Sequence, residues 1–239
     1  MLYLIGLGLD LKDISLKAIE TIKKCEIIYW ENYTNVFSYS QKDIERIIKK
    51  KVIPANRKAV EEKSEILDNA KSGKVALLVS GDPLAATTHI DILLRAKKAN
   101  IKTKVIHAPS VLDAIAESGL QLYKFGKTAS IAKWTSSFRP ESFYDIIEGN
   151  ENMNAHTLLL IDIGLSVNDA LGYLESIAKA RNVEMLEKKI IICEKLGTDE
   201  QKFSYGKIPV LMKKKFKLPA CIIIPSKLHF VEEEAIGLI

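Results

Sequence analysis

The chain has 239 residues, of which 47% are hydrophobic, so it can bury one large core or two smaller ones. Its net charge of +5 is mild, and its lysine clusters are predicted to be solvated faces because no aromatic residues alternate with them. Three widely separated cysteines argue against a disulfide framework or a zinc knuckle, and no segment predicts a signal peptide or a membrane span. We therefore expect a soluble protein of the reducing cytoplasm that binds neither membranes nor, directly, nucleic acid.

The first predicted strand, residues 1–5, runs into two glycines one residue apart, the second of which is Gly8. A strand, a tight turn and a helix are the usual platform for an adenosine or phosphate ligand. The dinucleotide fingerprint has a third glycine three residues after Gly8, where this chain has Leu11. Asp10 and Asp13 also make a phosphate unfavourable here. The motif therefore predicts a turn that a flat ligand approaches closely, without a pyrophosphate.

Short apolar runs then alternate with helical patterns along the chain. The clearest further strands are residues 75–80, 103–108, 157–163, 190–193 and 221–225. Apolar stripes of helices lie at Leu16, Ile19 and Ile22 behind a Ser15 cap, at Ile44, Ile47 and Ile48, and at Ile90, Leu93 and Leu94. Strands this apolar belong to a sheet that is covered on both faces, so the pattern predicts an α/β fold. We place an N-terminal α/β lobe at residues 1–109 and a mixed α/β lobe at residues 110–239, with a ligand in the cleft between them.

Two turns at predicted strand ends carry the chemistry. In VSGDPLAATTH, residues 79–89, glycine and proline force a turn around Asp82, and Thr87 and Thr88 are predicted to cap the next helix. Asp82 either binds a ligand or caps its own turn. In the second turn, Ser110 begins a helix whose first N–H groups are free. Both turns lie where open α/β sheets bind their ligands.

Five motifs together resemble the diphthine synthases, a branch of the tetrapyrrole-methylase-like, class III S-adenosylmethionine-dependent methyltransferases. They are GLGL at residues 6–9, GDP with AATTH at 81–89, HAPSVLDAI at 107–115, GLQLYKFG at 119–126 and PSKLHFVEEEA at 225–235. GLG and GDP belong to the whole superfamily, whereas GLQLYKFG and SKLHFVE are specific to the diphthine branch. The resemblance covers nearly the whole chain, and it implies the two-lobed tetrapyrrole methylase-like fold and a homodimer.

The resemblance also implies the cofactor, S-adenosyl-L-methionine, which leaves as S-adenosyl-L-homocysteine, and it implies no metal. Matched position by position, the cofactor contacts are Leu9, Asp82, Ala85, Ser110 and Val111 in the first lobe and Ile161, Leu196 and Ala220 in the second. This methyl donor has no phosphate groups, which agrees with the absence of the third glycine of the pyrophosphate-binding fingerprint. Apolar loops beside one carboxylate suit its sulfonium cation.

The implied reaction is N-methylation, with trimethylation as the expected product, of the modified histidine of translation elongation factor 2 in diphthamide biosynthesis. Alignment of the reacting atoms supplies most of such catalysis, so a dedicated base is optional and no catalytic residue is identified. Candidates for a base are Asp82, His107, Asp162 and His229. We interpret His89 and His107 first as hydrogen-bonded structural residues. Asp162, inside an apolar strand, is expected to be paired or to face the ligand.

The acceptor side is less well defined. Tyr123, Lys124 and Phe125 either line the acceptor entrance or form an edge strand with a solvated lysine. Diphthine synthases carry Tyr-Thr-Ser after the second strand, whereas this chain has Asn35 in place of the serine.

Two other functions are considered. A tetrapyrrole methyltransferase of the precorrin or uroporphyrinogen type would need an arginine-lined trough for an acidic macrocycle, and the arginines here are few and scattered. A non-catalytic RNA-associated protein would use the lysine faces.

Overall fold

A computed structural model describes residues 1–34 and 39–239, and the chain divides into two compact units, Met1–Ala114 and Ile115–Ile239. The sequence places the boundary after residue 109, whereas the structure keeps the short helix that follows Ser110 with the first unit. Each unit contains its own five-stranded sheet. Within the described ranges, no helix is long and apolar enough to cross a bilayer.

The first unit contains a parallel sheet in the order β3-β2-β4-β1-β5. Its strands are β1 (Leu2–Gly6), β2 (Ile27–Glu31), β3 (Ile53–Ala55), β4 (Val75–Val79) and β5 (Thr103–Ile106). Its helices are α1 (Leu16–Lys23), α2 (Gln41–Ile48), α3 (Arg57–Glu61), α4 (Glu65–Ser72), α5 (Ile90–Lys98) and α6 (Val111–Ala114). Side chains of α1 and α2 pack on one face of the sheet and those of α3, α4 and α5 on the other, so both faces are buried as predicted.

The second unit contains a mixed sheet in the order β6-β7-β10-β8-β9. Its strands are β6 (Ala129–Ile131), β7 (Thr157–Ile161), β8 (Lys189–Glu194), β9 (Lys202–Lys207) and β10 (Ala220–Ile224). Its helices are α7 (Ser142–Asn152), α8 (Val167–Arg181), α9 (Ile208–Leu211) and α10 (Phe230–Ile236). Only the β6–β7 pair is parallel among these strands, and the other three pairs are antiparallel. The predicted fold class, a parallel first sheet and a mixed second lobe, is confirmed.

The helix stripes were predicted correctly for α2 and only in part for α1. Ile44 and Ile48 of α2 are buried, and the Ser15 hydroxyl caps α1 by accepting a hydrogen bond from the Ala18 N–H at 3.1 Å. The face that α1 buries is formed by Ala18 and Ile22, whereas Leu16 is 80% exposed. Leu16 lies in the first turn of α1, beyond the edge of the buried stripe.

In α5 the predicted face was wrong for two of its three residues. Leu93 packs, partly buried, against the core, but Ile90 and Leu94 are both more than half exposed. The buried residues are Ile92 and Ala96. Ile92 and Ala96 are four residues apart and therefore share one side of the helix. The buried stripe therefore lies between the predicted positions, and it includes an alanine that the apolar pattern did not single out.

Candidate functional site

Three loops meet at the carboxyl end of the first sheet, because β4, β1 and β5 are neighbours in the strand order. All five residues predicted to contact the cofactor in this unit lie in these loops. They are Leu9 after β1, Asp82 and Ala85 after β4, and Ser110 and Val111 after β5. The structure therefore brings this predicted set to one end of one sheet, as expected for a ligand site in an open α/β fold.

The glycines of the first motif allow the loops to pack against each other. A Cβ atom at Gly6 would lie 2.6 Å from the Gly81 carbonyl oxygen and 2.8 Å from the Cβ of Ala108. Gly8, with φ of +80°, accepts a hydrogen bond from the Gly81 N–H at 2.8 Å. Only glycine permits this close approach together with this backbone conformation. The two glycines of GLGL thus serve loop packing.

Two internal carboxylates occupy the amides that would otherwise bind an anion. The Asp13 carboxylate accepts hydrogen bonds from the Leu9 N–H at 3.0 Å and the Asp10 N–H at 2.9 Å. The Asp113 carboxylate accepts from the Ser110 N–H at 2.8 Å, so the N–H predicted to be free is occupied. Free N–H groups at such positions bind phosphates in other folds. Here the negative charge is already supplied by the protein, which disfavours a phosphate-bearing ligand.

Asp82 joins the loop after β4 to the loop after β5. One carboxylate oxygen accepts from the Leu84 N–H at 2.9 Å, and the other lies 2.7 Å from Nδ1 of His107 and accepts from the Ala108 N–H at 3.2 Å. The Asp82 side chain is 14% exposed and the His107 side chain is 69% exposed. Beside a carboxylate, Nδ1 carries the proton, which leaves Nε2 of His107 as a hydrogen-bond acceptor.

The prediction that Thr87 and Thr88 cap α5 was wrong. The Thr87 hydroxyl donates to the Pro83 carbonyl at 2.8 Å, and the Thr88 hydroxyl donates to Glu61 at 2.9 Å. The N-cap position of α5 is taken by His89, whose side chain makes no capping bond. The Thr87 hydroxyl oxygen accepts from the His89 N–H at 3.4 Å, just before α5, and the Thr88 hydroxyl binds another helix, so neither caps the first turn of α5.

In the second unit, the three residues predicted to contact the cofactor lie at one end of its three interior strands, β7, β10 and β8. Ala220, the first residue of β10, pairs with Glu194 at the end of β8, and Leu196 follows two residues later. Ile161 ends β7, the other neighbour of β10. The register therefore brings Ile161, Leu196 and Ala220 together, and their contact with the cofactor stays a prediction.

Two of the predicted base candidates have local structural roles. Asp162 was expected inside a strand, but β7 ends before it, and its exposed carboxylate accepts from the Ile163 N–H at 2.9 Å in a turn. That expectation was wrong because Gly164, with φ of +82°, turns the chain at this point. His229 is exposed and caps α10, its Nδ1 accepting from the Val231 N–H at 3.4 Å.

A buried carboxylate that sequence reasoning missed holds the two diphthine-branch motifs together. Glu232 is fully buried and accepts hydrogen bonds from the Gln121 N–H at 3.0 Å, the His229 N–H at 2.8 Å and His156 Nε2 at 3.1 Å. Its fourth partner is the Lys124 ammonium. Burial raises the pKa of Glu232, but the hydrogen bonds, with Lys124 first, outweigh it and lower that pKa to about 2. GLQLYKFG and SKLHFVE are thus two halves of one cluster.

This cluster overturns the edge-strand alternative for residues 123–125 and the solvated lysine, while the acceptor entrance stays a prediction for Tyr123. Leu122–Lys124 forms a single 3₁₀ turn, so the segment is not an edge strand. Lys124 binds Glu232 and is not solvated at an entrance, and the Phe125 ring packs edge-on against His156 with centroids 5.4 Å apart. Only Tyr123, which is 81% exposed, remains available to a partner. The spacing of His229 and Glu232 matches a capping box, which is the one local signal of the cluster.

A second polar cluster lies at the ends of β2 and β4 in the first unit. Glu31, fully buried, accepts hydrogen bonds from the Tyr33 N–H at 3.3 Å and from the N–H and hydroxyl of Thr34. Nearby, Glu61 accepts from the Thr88 hydroxyl. The residues that match the expected Tyr-Thr-Ser motif are therefore ordered by a buried carboxylate up to Thr34, and Asn35 lies outside the described residues.

Comparisons with known proteins agree with these features. A family model of tetrapyrrole (corrin/porphyrin) methylases matches residues 1–211. The chain is 40% identical to the diphthine synthase of Methanococcus aeolicus, with 99% of this chain and 96% of that protein covered. It is 36% identical to the human diphthine methyl ester synthase, with 100% of this chain and 94% of that protein covered.

A crystal structure from Entamoeba histolytica, identified provisionally as a diphthine synthase, is similar to this structure with a TM-score of 0.92 at 36% identity. That similarity covers 100% of this chain and 97% of the other. The chain is therefore a methyltransferase of the tetrapyrrole methylase family and, within it, belongs to the diphthine synthases.

Proposed function

We propose that this enzyme transfers methyl groups from S-adenosyl-L-methionine to the α-amino nitrogen of the modified histidine of translation elongation factor 2, a step of diphthamide biosynthesis. The observation that carries this proposal is the full-length similarity to proteins named diphthine synthase and diphthine methyl ester synthase. We expect trimethylation of the nitrogen as the product. The name of the human relative indicates a methyl ester as an additional possibility.

The loops of the first unit fit a donor without phosphates. Their amides at Leu9, Asp10 and Ser110 are occupied by protein carboxylates, and a cationic sulfonium is compatible with that negative charge. The bound cofactor supplies an electrophilic methyl group. The residues that would hold it are Leu9, Asp82, Ala85, Ser110 and Val111 in this unit and Ile161, Leu196 and Ala220 in the other.

The protein itself must position the acceptor and allow its ammonium to lose a proton before attack. Of the four predicted bases, His107 is the one whose imidazole is fixed by a carboxylate, and in the neutral ring the nitrogen that does not face Asp82 is the acceptor. Asp82 has a positioning role in that pair. Bulk solvent can also take the proton, so we expect variants of His107 to retain activity at high pH.

The direct test uses labelled S-adenosylmethionine and purified elongation factor 2 that carries the preceding intermediate. Label in the factor, with mass spectrometry finding three methyl groups, is the expected result. A fourth methyl group that is released by alkali would show that the enzyme forms the methyl ester instead. No label in the factor, with label in a corrin or porphyrin precursor, would refute the proposal in favour of a tetrapyrrole acceptor.

The arginines argue against that tetrapyrrole acceptor. Arg46, Arg95 and Arg181 are paired with carboxylates, and Arg57 and Arg139 lie over aromatic rings. A macrocycle with acidic side groups needs guanidinium groups that are free to form bidentate pairs. Arg57 and Arg139, the two that pair with no carboxylate among the described residues, belong to different units, so neither unit gathers several unpaired guanidinium groups.

The lysine faces give limited support to an RNA-associated role. The Lys50 ammonium donates to the carbonyls of Lys23 and Cys25 at 2.7 and 2.8 Å, which places it at the end of α1. Lys51 pairs with Glu45 at 2.8 Å. Two of the three lysines of this cluster therefore have partners in the protein.

We further propose a cytoplasmic homodimer. The cysteines of the chain are all free and buried, which suits a reducing compartment. Sedimentation at micromolar concentration tests the dimer, and a monomer throughout would refute it.

A further inference from the structure

Several hydrogen-bond acceptors lie at the carboxyl ends of three neighbouring strands in the first unit. The strand order β3-β2-β4 places the residues after β2, helix α3 after β3, and the loop after β4 side by side. Glu61 of α3 accepts hydrogen bonds from the Thr88 hydroxyl at 2.9 Å and the Tyr33 hydroxyl at 3.5 Å. Contacts between side chains therefore connect all three segments.

The cluster carries negative charge without a matching cation. The donors to Glu31 are the backbone N–H groups of Tyr33 and Thr34 and the Thr34 hydroxyl, which are all neutral. Neither Glu31 nor Glu61 forms an ion pair with a described residue. The Arg57 guanidinium lies over the Tyr33 ring, 5.4 Å from its centroid, and forms no ion pair with either carboxylate. A buried carboxylate without a counter-ion, such as Glu31, is costly, and a cationic ligand beside the half-buried Glu61 would offset the negative charge of both.

His89 supplies an independent sign of a missing ligand. Its side chain is 1% exposed, and neither ring nitrogen has a hydrogen-bond partner of normal geometry among the described residues. Burial lowers the pKa of His89, and the Glu31 carboxylate, the backbone of Pro83 beside the ring and the Glu61 carboxylate oppose this without overcoming it. The ring is therefore neutral and offers one acceptor nitrogen. Buried polar groups of this kind are almost always satisfied, by protein, water or ligand.

We propose that Glu61, His89 and Tyr33 form a binding site for an alkylammonium group, which on the proposed function is the acceptor amine of elongation factor 2. An ammonium has three N–H donors and no acceptor, and the cluster offers a carboxylate and an imine nitrogen. His89 lies edge-on to the Tyr33 ring with centroids 6.4 Å apart, so an aromatic face belongs to the same site.

The tyrosine ring gives the site a second property. Each methyl transfer replaces one N–H donor by a methyl group, so hydrogen bonding to Glu61 and His89 weakens as methylation proceeds. The face of the Tyr33 ring that Arg57 does not cover is the one proposed to bind methylated ammonium groups, and the quaternary product retains its positive charge. The site can therefore hold the amine through successive methylations.

The test uses n-butylammonium as the probe, with its binding to the whole protein measured by ligand-observed NMR. We expect wild type to bind it, and Glu61→Gln to weaken binding about tenfold or more, because one charged acceptor is lost. The matched control is Glu62→Gln, at the exposed neighbouring position, which should bind as wild type does. Tyr33→Leu provides a second variant and should weaken binding of tetramethylammonium by a similar factor.

Absence of binding to wild type, or equal binding by Glu61→Gln and Glu62→Gln, would overturn the proposal. The methyl-transfer assay is read separately. A further outcome is that the wild type binds the amine and Glu61→Gln loses it, while the wild type never labels elongation factor 2. That pair of results would support this binding site but refute the acceptor that the proposed function assigns.

Discussion

Glu232→Gln is expected to destabilise the second unit by about 3 kcal/mol at pH 7. The four donors that surround the buried carboxylate lower its pKa from 4.5 to about 2, and each pKa unit corresponds to about 1.4 kcal/mol. Glutamine has nearly the same shape as glutamate but no charge. Its NH₂ group is a hydrogen-bond donor and would face the donors that the second carboxylate oxygen now binds. The Lys124 ammonium and His156 then lose part of their pairing inside the protein.

The pH dependence gives the sharper signature. Because the pKa of Glu232 is lowered on folding, its stabilisation is complete above the unfolded-state value of 4.5 and is lost as pH falls toward about 2. The difference in free energy of unfolding between wild type and Glu232→Gln should therefore be constant above about pH 5 and vanish near pH 2. His156 is common to both proteins, so its titration largely cancels in this difference.

Urea unfolding at a series of pH values measures this difference. Trp134 lies in the second unit, stacked on Tyr173 at 4.1 Å, so its fluorescence in a Trp30→Phe background reports that unit alone. The control is Glu234→Gln, an exposed position two residues further along α10, which should change stability by less than about 0.5 kcal/mol. Equal stabilities of Glu232→Gln and Glu234→Gln at pH 7 would refute the reasoning.

Three further predictions concern the loops and the thiols. Gly8→Ala should cost about 2 kcal/mol or more in urea unfolding, because its φ is +80° and a Cβ would overlap with the Asp13 side chain; an unchanged midpoint would contradict this. Asp82→Ala should weaken S-adenosylmethionine binding in calorimetry and lower stability by about 1–3 kcal/mol, since three hydrogen bonds are lost, and unchanged affinity would remove Asp82 from the site. All three cysteines are buried, and burial raises the pKa of Cys25, so a thiol reagent should react only on unfolding; a fast phase in the native protein would contradict this.

Most interior strands could be predicted from the sequence, whereas most edge strands could not. Of the six predicted strands, β1, β4, β7, β8 and β10 are interior and largely apolar, and β5 is an edge strand that was found from the apolar end of its run. The strands β3, β6 and β9 were missed, and each lies at an edge of its sheet, where a short or polar run is sufficient. The buried strand β2, IIYWE, carries an apolar run and could have been found.

Positions of the site loops followed from the sequence, but the partners of their side chains did not. Each loop comes directly after a buried strand, so its place at the sheet end is fixed once the strands are known. Glu232, by contrast, binds donors more than 100 residues away in the chain, such as Gln121 and Lys124. His89 was expected to be a hydrogen-bonded structural residue, and in the described part of the chain its ring lies beside the Pro83 backbone but forms no hydrogen bond of normal geometry. Such outcomes depend on tertiary packing, which no local pattern contains.

Asp82 illustrates why structural and ligand-binding roles need not exclude each other. An ionised carboxylate offers about four lone-pair positions for hydrogen bonds. In Asp82 three are occupied, by the Leu84 N–H, the Ala108 N–H and His107 Nδ1, and all three partners hold the carboxylate in place. One position on the oxygen that binds Leu84 remains for a ligand donor such as a ribose hydroxyl. The same bonds that make Asp82 a turn residue therefore orient its last acceptor, so a loss of cofactor affinity in Asp82→Ala larger than in His107→Gln would indicate direct binding rather than loop order.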